Sequence, residues 1–146
     1  MDYPTALVNN VKKVIGSIKD LILLGVLENE KQIRDWITKR WLTGKTPNGD
    51  LIGFYQGYDY AEFKNVMNSF AGLGHVDLTL TGALGKGIRV NPISKDKFEI
   101  FSTDWKYNDI AEKYGELNFN ISEPEKKMLY SKIVMVIMQE IDKAYA

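Results

Sequence analysis

The chain has 146 residues, of which 45% are apolar and 26% are charged, and these values are typical of one folded domain with a substantial core. Lysine plus arginine equals aspartate plus glutamate at 19 each, so the chain lacks the basic excess that is usual in a dedicated nucleic-acid binder. It has no cysteine, which excludes disulfides and thiolate metal sites. Zero net charge favours association, because little self-repulsion opposes it.

From the first residues we expect neither a signal peptide nor a membrane-spanning segment. The residues MDYPT lack the basic region of a signal peptide. The longest apolar run near them, Leu21–Leu24 followed by Val26-Leu27, is far too short to span a bilayer. We therefore expect synthesis and assembly in a cytoplasm, with no membrane partner.

Two amphipathic helices are predicted in residues 1–43. Pro4 suits the first turn of the first helix, and Gly25 is expected to end that helix. Between them, apolar residues recur at alternating spacings of four and three: Leu7, Val11, Val14, Ile18 and Leu21. Asn29 is predicted to cap the second helix, which should end at Thr43-Gly44.

Three short strands are predicted in the centre of the chain. Apolar and polar residues alternate in Val76–Leu80, which is typical of a half-buried strand that Thr81-Gly82 would end. Two further strands are predicted at Ile88–Val90 and Phe98–Phe101, joined by turn residues at Asn91-Pro92 and Ser94–Lys97.

Weaker elements are predicted on both sides of these strands. Leu51–Tyr55 is a candidate for a further short strand. The apolar spacing in Tyr60–Phe70 indicates a helix, although it is the least certain of these elements. Tyr107–Tyr114 is predicted to be a short helix that Gly115 ends.

The last helix carries the clearest start signal. Ser122 and Glu125 have the spacing of a capping box, and the helix should run to about Lys143. Its centre, Ile133–Met138, is apolar all round, so one side should pack on the sheet and the other needs a second cover. We assign these residues to the core side: Met128, Leu129, Ile133, Ile137 and Ile141. Met135 and Val136 would then meet another element, such as the first helix, or a neighbouring subunit.

A period-two stretch between two period-3.6 stretches predicts an α+β fold with a small, mainly antiparallel sheet covered by N-terminal and C-terminal helices. We expect one domain, 1–146. Residues 1–43 would form its helical N-terminal part, residues 44–115 its central sheet and loops, and residues 116–146 its C-terminal helix.

Phosphate-binding and nucleophile motifs are incomplete. Gly44-Lys45-Thr46 is similar to the end of a P-loop, but Lys39 stands where that motif needs its first glycine, and a helix precedes it. The glycines at 82, 85 and 87 do not follow the order G-x-G-x-x-G. His75 is the only histidine, and a structural role is expected for it because no nucleophile motif is present.

Metal-assisted catalysis also lacks its usual pattern. The carboxylates near the predicted sheet are Asp77, Asp96, Glu99 and Asp104. A metal-dependent nuclease would place a lysine shortly after the second acid of a pair, but Ile100-Phe101-Ser102 follows Glu99. These acids are expected to face solvent or cap turns. We predict no catalysis and no cofactor or metal.

Several blocks resemble one family in their order and spacing. The stretch LTLTGALGKGIRV is similar to a block of the virion morphogenesis proteins of tailed phages, which include tail-completion, neck and minor tail proteins. DIAEKYG and FNIS stand where that family has its short helix and the start of its last helix. Upstream, WLTGKTPNGDLIGFY resembles the version that occurs in phages of Bacteroidetes-like hosts. The chain departs from the pattern at Gly87, where the family has serine, and at Glu112-Lys113, where it has histidine and glutamine.

The resemblance implies a structural role. It implies a subunit of the neck or tail of a phage particle, for head–tail joining or tail completion, that assembles in the host cytoplasm as a homo-oligomeric ring and resides in the virion. Its partners would be copies of itself and neighbouring portal, connector or tail-tube proteins, with only incidental DNA contact if the ring encloses the genome channel.

Seven positions are predicted to serve assembly contacts or turns: Gly82, Leu84, Ile88, Tyr114, Gly115, Met135 and Val136. A small phage-encoded metal-dependent nuclease and a monomeric host-interaction module are the alternatives.

Overall fold

The computed structural model describes residues 3–79, 82–94 and 97–145. Within these ranges the chain forms seven α-helices and one two-stranded antiparallel sheet, which confirms the predicted α+β fold class with helices at both ends. The elements in chain order are α1 (Tyr3–Gly16), α2 (Ile18–Glu28), α3 (Glu30–Leu42), α4 (Tyr58–Met67), α5 (Ala83–Lys86), β1 (Ile88–Ser94), β2 (Lys97–Ser102), α6 (Tyr107–Tyr114) and α7 (Glu123–Tyr145). A 3₁₀ turn, Glu116–Phe119, precedes α7.

The sheet is the hairpin of β1 and β2. Ile88 pairs with Ser102 and Val90 with Ile100, and the register shifts between Pro92 and Ser94. The two predicted strands, Ile88–Val90 and Phe98–Phe101, are therefore confirmed and are longer than predicted. The predicted turn at Asn91-Pro92 is wrong, because both residues pair with β2 inside β1. The predicted turn at Ser94–Lys97 includes Lys95 and Asp96, which lie outside the described residues.

Side chains from α3 cover the free edge of β1. Glu30 Oε2 accepts a hydrogen bond from the Val90 N–H at 3.0 Å, and Arg34 Nε donates to the Ile88 carbonyl at 3.1 Å. Glu30 and Arg34 also form an ion pair at 3.0 Å across one helical turn. An open strand edge is a template for wrong pairing, so this cover closes the hairpin on one side and fixes α3 against it.

The predicted strand Val76–Leu80 is wrong for residues 76–79, and Leu80 and Thr81 lie outside the described residues. His75 forms only one isolated bridge, with Phe54. Leu78 has a left-handed backbone with a φ of 58°, and the Asp77 carboxylate accepts a hydrogen bond from the Thr79 N–H at 3.1 Å. Because Asp77 is buried as an ion pair rather than exposed, the alternating pattern does not mark two faces of a strand. Leu51–Tyr55 likewise contributes only isolated bridges.

The N-terminal helical part differs from the prediction at its boundaries. The first helix breaks at Ser17, whose hydroxyl donates to the Lys13 carbonyl at 2.7 Å. Gly25 does not end a helix but lies buried inside α2, where an added Cβ would stand 2.9 Å from Ile133 Cγ1. Asn29 stands at the N-cap position of α3 as predicted, but its side chain makes no capping hydrogen bond there. Its amide donates back to the Gly25 carbonyl at 2.7 Å and closes the end of α2.

The capping box of α7 is confirmed. The Glu125 N–H donates to Ser122 Oγ at 3.3 Å, and the Ser122 N–H donates to Glu125 Oε2 at 3.5 Å. Arg40 of α3 also binds Glu125, with 2.9 Å between Nη1 and Oε1 and both side chains nearly buried. It donates in addition to the Asn120 carbonyl at 2.6 Å. One arginine therefore ties the start of α7 to the last turn of α3.

The core forms around a row of edge-to-face aromatic rings. Trp41 and Phe119 lie 5.2 Å apart between ring centroids, and Phe119 and Tyr107 lie 4.8 Å apart. The Trp41 Nε1–H donates to the buried Asn118 carbonyl at 2.9 Å, which satisfies its polar atom. These contacts join α3, α6 and the 3₁₀ turn into one core.

The last helix packs mainly on α1 and α2 rather than on the sheet. Leu129 and Ile133 are buried as predicted, and Ile137 and Ile141 are half-buried. Met128 was assigned to the core side, but its side chain is 48% exposed, so that assignment is wrong. It lies seven residues before Met135, and both therefore project from the outer face of α7.

Candidate functional site

A cleft of about 470 Å³ lies between α4, α6 and the segment that leads into α5. Tyrosines and aliphatic side chains form its walls: Tyr55, Tyr60, Tyr114, Val76, Leu78, Leu84 and Ile110. Lys64, Lys106, Lys113 and Asp109 supply its charged groups. A mainly apolar cleft with a few charged groups is the usual form of a small binding site.

A buried ion pair lies beside this cleft. Lys64 Nζ of α4 and Asp77 Oδ1 are 2.6 Å apart, and both side chains are almost fully buried. Lys64 lies on the inner side of α4 together with Ala61, three residues before it. The pair therefore connects the only buried side of α4 to the loop that precedes the cleft.

Further donors surround the Asp77 carboxylate. Asn68 Nδ2 donates to Oδ2 at 2.9 Å, and the Thr79 N–H and the Tyr55 hydroxyl donate to Oδ1 at 3.1 and 3.4 Å. Asn68 also donates to the Leu42 carbonyl at the end of α3. This network holds α3, α4 and the loop at 76–79 together through one carboxylate.

The environment of the cluster fixes its protonation. Burial raises the pKa of the Asp77 carboxyl, but the hydrogen bonds from Lys64, Asn68 and the Thr79 N–H outweigh burial and hold the pKa below its ordinary value. Burial raises the pKa of the Tyr55 hydroxyl well above its ordinary value, and the charge of Asp77 raises it further. At neutral pH, Asp77 is therefore ionised and Tyr55 is protonated.

This arrangement positions the walls of the cleft. Donors occupy both oxygens of Asp77, so the carboxylate has little capacity left for a proton or a ligand. Tyr55 presents its ring to the cleft while its hydroxyl points to Asp77. The cluster therefore suits a structural role in fixing α4, and the cleft offers aromatic surface and lysine charge to a ligand.

The outer face of α4 is apolar and acidic. We call Asp59, Glu62, Phe63 and Val66 the α4 face, because steps of three and four residues place them on one side of the helix. All four are exposed, and Val66 is 84% exposed. Phe70, just beyond the helix, is 81% exposed. Large apolar side chains grouped on a surface in this way mark an interaction site.

A second exposed apolar surface lies on α7. We call Met128, Met135 and Met138 the α7 face, and Met135 is 61% exposed. Val134 beside it is also exposed, whereas Val136 is half-buried. Of the two positions predicted to make a second contact, Met135 is therefore left uncovered by its own chain.

The structure brings together three of the seven predicted positions. Gly82, Leu84 and Tyr114 all line the cleft, and Gly82 has a φ of 75° at the start of α5. Ile88 is fully buried in the core, and Gly115 ends α6 with a φ of 100°. These five positions thus serve packing or turns within the chain.

The candidate carboxylates are separated. Asp77 is buried in its ion pair and does not face solvent, although it also accepts from the Thr79 N–H, as the predicted turn cap would. Glu99 accepts from Asn91 Nδ2 at 3.0 Å, and Asp104 caps a turn by accepting from the Lys106 N–H at 2.9 Å. Asp96 lies outside the described residues. Among the residues that the structure describes, no three histidine, aspartate or glutamate side chains lie close enough to hold a metal ion.

His75 and the P-loop-like segment have structural roles. The His75 Nδ1–H donates to the Ala71 carbonyl at 2.6 Å, and its ring packs edge-to-face on Phe54. Gly44 closes the end of α3 with a φ of 69°, which fits the predicted helix end and turn. Neither His75 nor residues 44–46 line the cleft, although Phe54, on which His75 packs, does.

The sequence prediction missed Lys64 and Asn68 altogether. The only signal for them is their place in α4 and directly after it: together with Ala61, they lie on the side opposite Phe63 and Val66. That pattern normally assigns the apolar side to the core, but here the charged side is buried. The pairing of Lys64 with Asp77 has no sequence signature, because it depends on how the loop at 76–79 meets α4.

No protein-family model, curated protein or solved structure matches this chain. Among the helices of the described residues, none combines the length and the apolar character needed to cross a membrane.

Proposed function

We propose that the protein is a structural subunit of the neck or tail of a tailed-phage particle and that it assembles into a homo-oligomeric ring. The proposal has two supports. One is the resemblance of the blocks at 41–55, 78–90, 109–115 and 119–122 to virion morphogenesis proteins. The other is the surface of the folded chain, which leaves large apolar side chains on two separate helices without cover.

The observation that carries the proposal is the α4 face. Phe63, Val66 and the neighbouring Phe70 are between 49% and 84% exposed, although phenylalanine and valine are among the residues most often buried. Burying such side chains contributes about 1.5–3 kcal/mol each. A subunit surrounded by copies of itself gains this free energy on assembly, which a protein that acts alone does not.

The α7 face supports the same role. Its methionines are flexible and adapt to irregular surfaces, which makes them common at protein–protein contacts. Two exposed apolar surfaces on different helices allow each copy to contact two neighbours. A heterologous contact, in which two different surfaces of the chain meet, closes into a ring when its rotation allows.

Quantitative mass spectrometry of purified particles tests the proposal. The phage whose genome encodes this chain is purified by density gradient, and the chain is counted against the portal protein. We expect several copies in each particle. Absence from purified particles, or one copy in each, would contradict the proposal.

The cleft favours a second candidate function, a monomeric module that binds a host factor. Its aromatic walls and lysines would hold an apolar, acidic ligand group. Such a protein would be present in infected cells but absent from purified particles, so the same measurement separates the two candidates.

A further inference from the structure

We infer that the subunits contact one another head to tail, with the α4 face of one copy against α1 of the next. This inference rests on the self-assembly proposed above and adds which two surfaces meet. The α4 face combines apolar side chains with two exposed carboxylates, those of Asp59 and Glu62. The only lysine of α4, Lys64, is buried and neutralised by Asp77, so the exposed surface of this helix is purely acidic in charge.

The outer side of α1 has the complementary pattern. Its sequence, YPTALVNNVKKVIG, contains two lysines and no acid. Val8, Lys12 and Ile15 follow steps of four and three residues, so they share one side of the helix, and all three are exposed. Among the described residues, no carboxylate forms a salt bridge with Lys12 or Lys13. An apolar and basic stripe thus faces solvent.

α1 and α4 both make few contacts within their own chain, which also indicates a contact with a neighbouring copy. α1 packs only on α2 and α7 to any extent, and no residue of its described part is fully buried. α4 makes no extensive contact with any other helix or strand and is held chiefly through the Lys64 cluster. Two weakly covered helices of opposite charge, at different places on one chain, form a heterologous pair.

The α7 face is the competing partner, but its charge is mixed. α7 contains four lysines and four acids, and two of its ion pairs, Lys126 with Glu123 and Lys143 with Glu140, are already made within the helix. It therefore offers α4 no net charge to bind. The experiment below includes it as a separate arm.

Thiol cross-linking tests the contact, and the chain suits it because it has no cysteine of its own. Full-length Val66→Cys and Val8→Cys variants are mixed at high concentration and treated with a flexible bis-maleimide. Since each chain carries one thiol, every product joins two copies. We expect the mixed Val66–Val8 product to exceed either product of one variant alone by about tenfold, because like-charged surfaces repel.

Other products would overturn the inference. A dominant product from the Val66→Cys variant alone would indicate an α4–α4 contact, and a dominant product with Met135→Cys would indicate an α4–α7 contact. Both outcomes would leave self-association standing while contradicting the proposed pairing. The absence of any cross-linked product at every concentration would also contradict the pairing. The copy number of the chain in purified particles would then test self-assembly separately.

Exchange of charge provides the specific test. Asp59→Lys with Glu62→Lys in the Val66→Cys chain should lower the yield of mixed product about tenfold. Lys12→Glu with Lys13→Glu in the Val8→Cys chain should restore it. An unchanged yield after the first exchange, or no recovery after the second, would contradict the contact.

The matched control changes two other lysines. Lys31 and Lys39 of α3 are exposed, so Lys31→Glu with Lys39→Glu alters the net charge of the Val8→Cys chain by the same amount. This control should neither lower the yield with the unmodified α4 face nor restore it with the reversed one. A chain that carries both Val8→Cys and Val66→Cys should form a ladder of oligomers, whereas an isologous contact would stop at the dimer.

Discussion

The Lys64–Asp77 pair is the interaction on which the position of α4 depends most. Both partners are buried, and Asp77 also receives hydrogen bonds from Asn68, Tyr55 and Thr79. Removing one member of a buried pair leaves the other charge without compensation, which is costly even where the intact pair contributes little.

Asp77→Ala should therefore lower the free energy of unfolding by about 3–5 kcal/mol, because the ammonium group of Lys64 would remain buried without its partner. Urea unfolding followed by tyrosine and tryptophan fluorescence measures this loss. Asp109→Ala is the matched control: Asp109 is exposed at the cleft and its removal should change stability by less than about 0.5 kcal/mol. Equal effects of the two substitutions would show that the pair does not hold α4.

The same pair predicts how stability depends on pH. The pKa of Asp77 is lower in the folded chain than its ordinary value, so the unfolded chain binds more protons in acid. The contribution of the pair is thus complete above the ordinary pKa of about 3.9 and is lost as the pH falls through the lowered folded pKa. The difference in unfolding free energy between wild type and Asp77→Ala should shrink as the pH falls from about 5 to about 3. Urea unfolding of both proteins at several pH values in this range measures the difference. A constant difference would contradict the ionised assignment.

Gly25 is a second residue whose role is set by its neighbour. Gly25→Ala would place a Cβ 2.9 Å from Ile133 Cγ1, so α2 and α7 would have to separate. We expect a loss of about 1–3 kcal/mol in unfolding free energy, measured by thermal and urea unfolding. Gly16→Ala is the control, since nothing lies within 4 Å of its added Cβ, and it should be neutral or stabilising by up to about 1 kcal/mol. The prediction fails if Gly25→Ala behaves like Gly16→Ala.

At the scale of elements, the sequence predicted correctly those helix ends and turns that depend only on residues close together in the chain. Tyr107–Tyr114 begins and ends as predicted, because Gly115 adopts the left-handed backbone that ends a helix. The capping box at Ser122 and the β1–β2 hairpin also follow from local chemistry. In each case the deciding residues lie within a few positions of one another.

Elements decided by distant contacts were not predictable. The sequence predicts a helix end at Gly25. In the structure this position lacks a side chain because Ile133, more than one hundred positions later, packs closely against it. Val76–Leu80 has strand alternation, but Lys64 draws Asp77 inward. The cleft was not predicted, because its walls come from three separate segments. The apolar spacing of α4 does not distinguish a core face from an interface.

The outer face of α7 gives the prediction that belongs to this scale. Met135→Glu should leave the free energy of unfolding of the isolated chain unchanged to about 0.5 kcal/mol, because Met135 is exposed. It should reduce incorporation into particles, since a buried unpaired carboxylate at a contact is unfavourable. The comparison requires thermal unfolding and a complementation assay in infected cells. Unchanged unfolding with unchanged incorporation would show that this face meets no partner.

At the scale of the whole molecule, the chain is well packed on the inside and poorly covered on the outside. α3, the hairpin, α6 and the 3₁₀ turn share one core, whereas α1, α4 and α7 present apolar side chains outward. Net charge is zero, so little electrostatic repulsion opposes association. A homo-oligomeric ring accounts for these features together, because each exposed surface would be covered by a neighbouring copy.

Native mass spectrometry of the complex released intact from purified particles tests this account most directly. A head-to-tail ring should have a mass that is a whole multiple of 16.7 kDa, with at least three copies because such a ring needs them. A protein recovered from particles only as a 16.7 kDa monomer would contradict it.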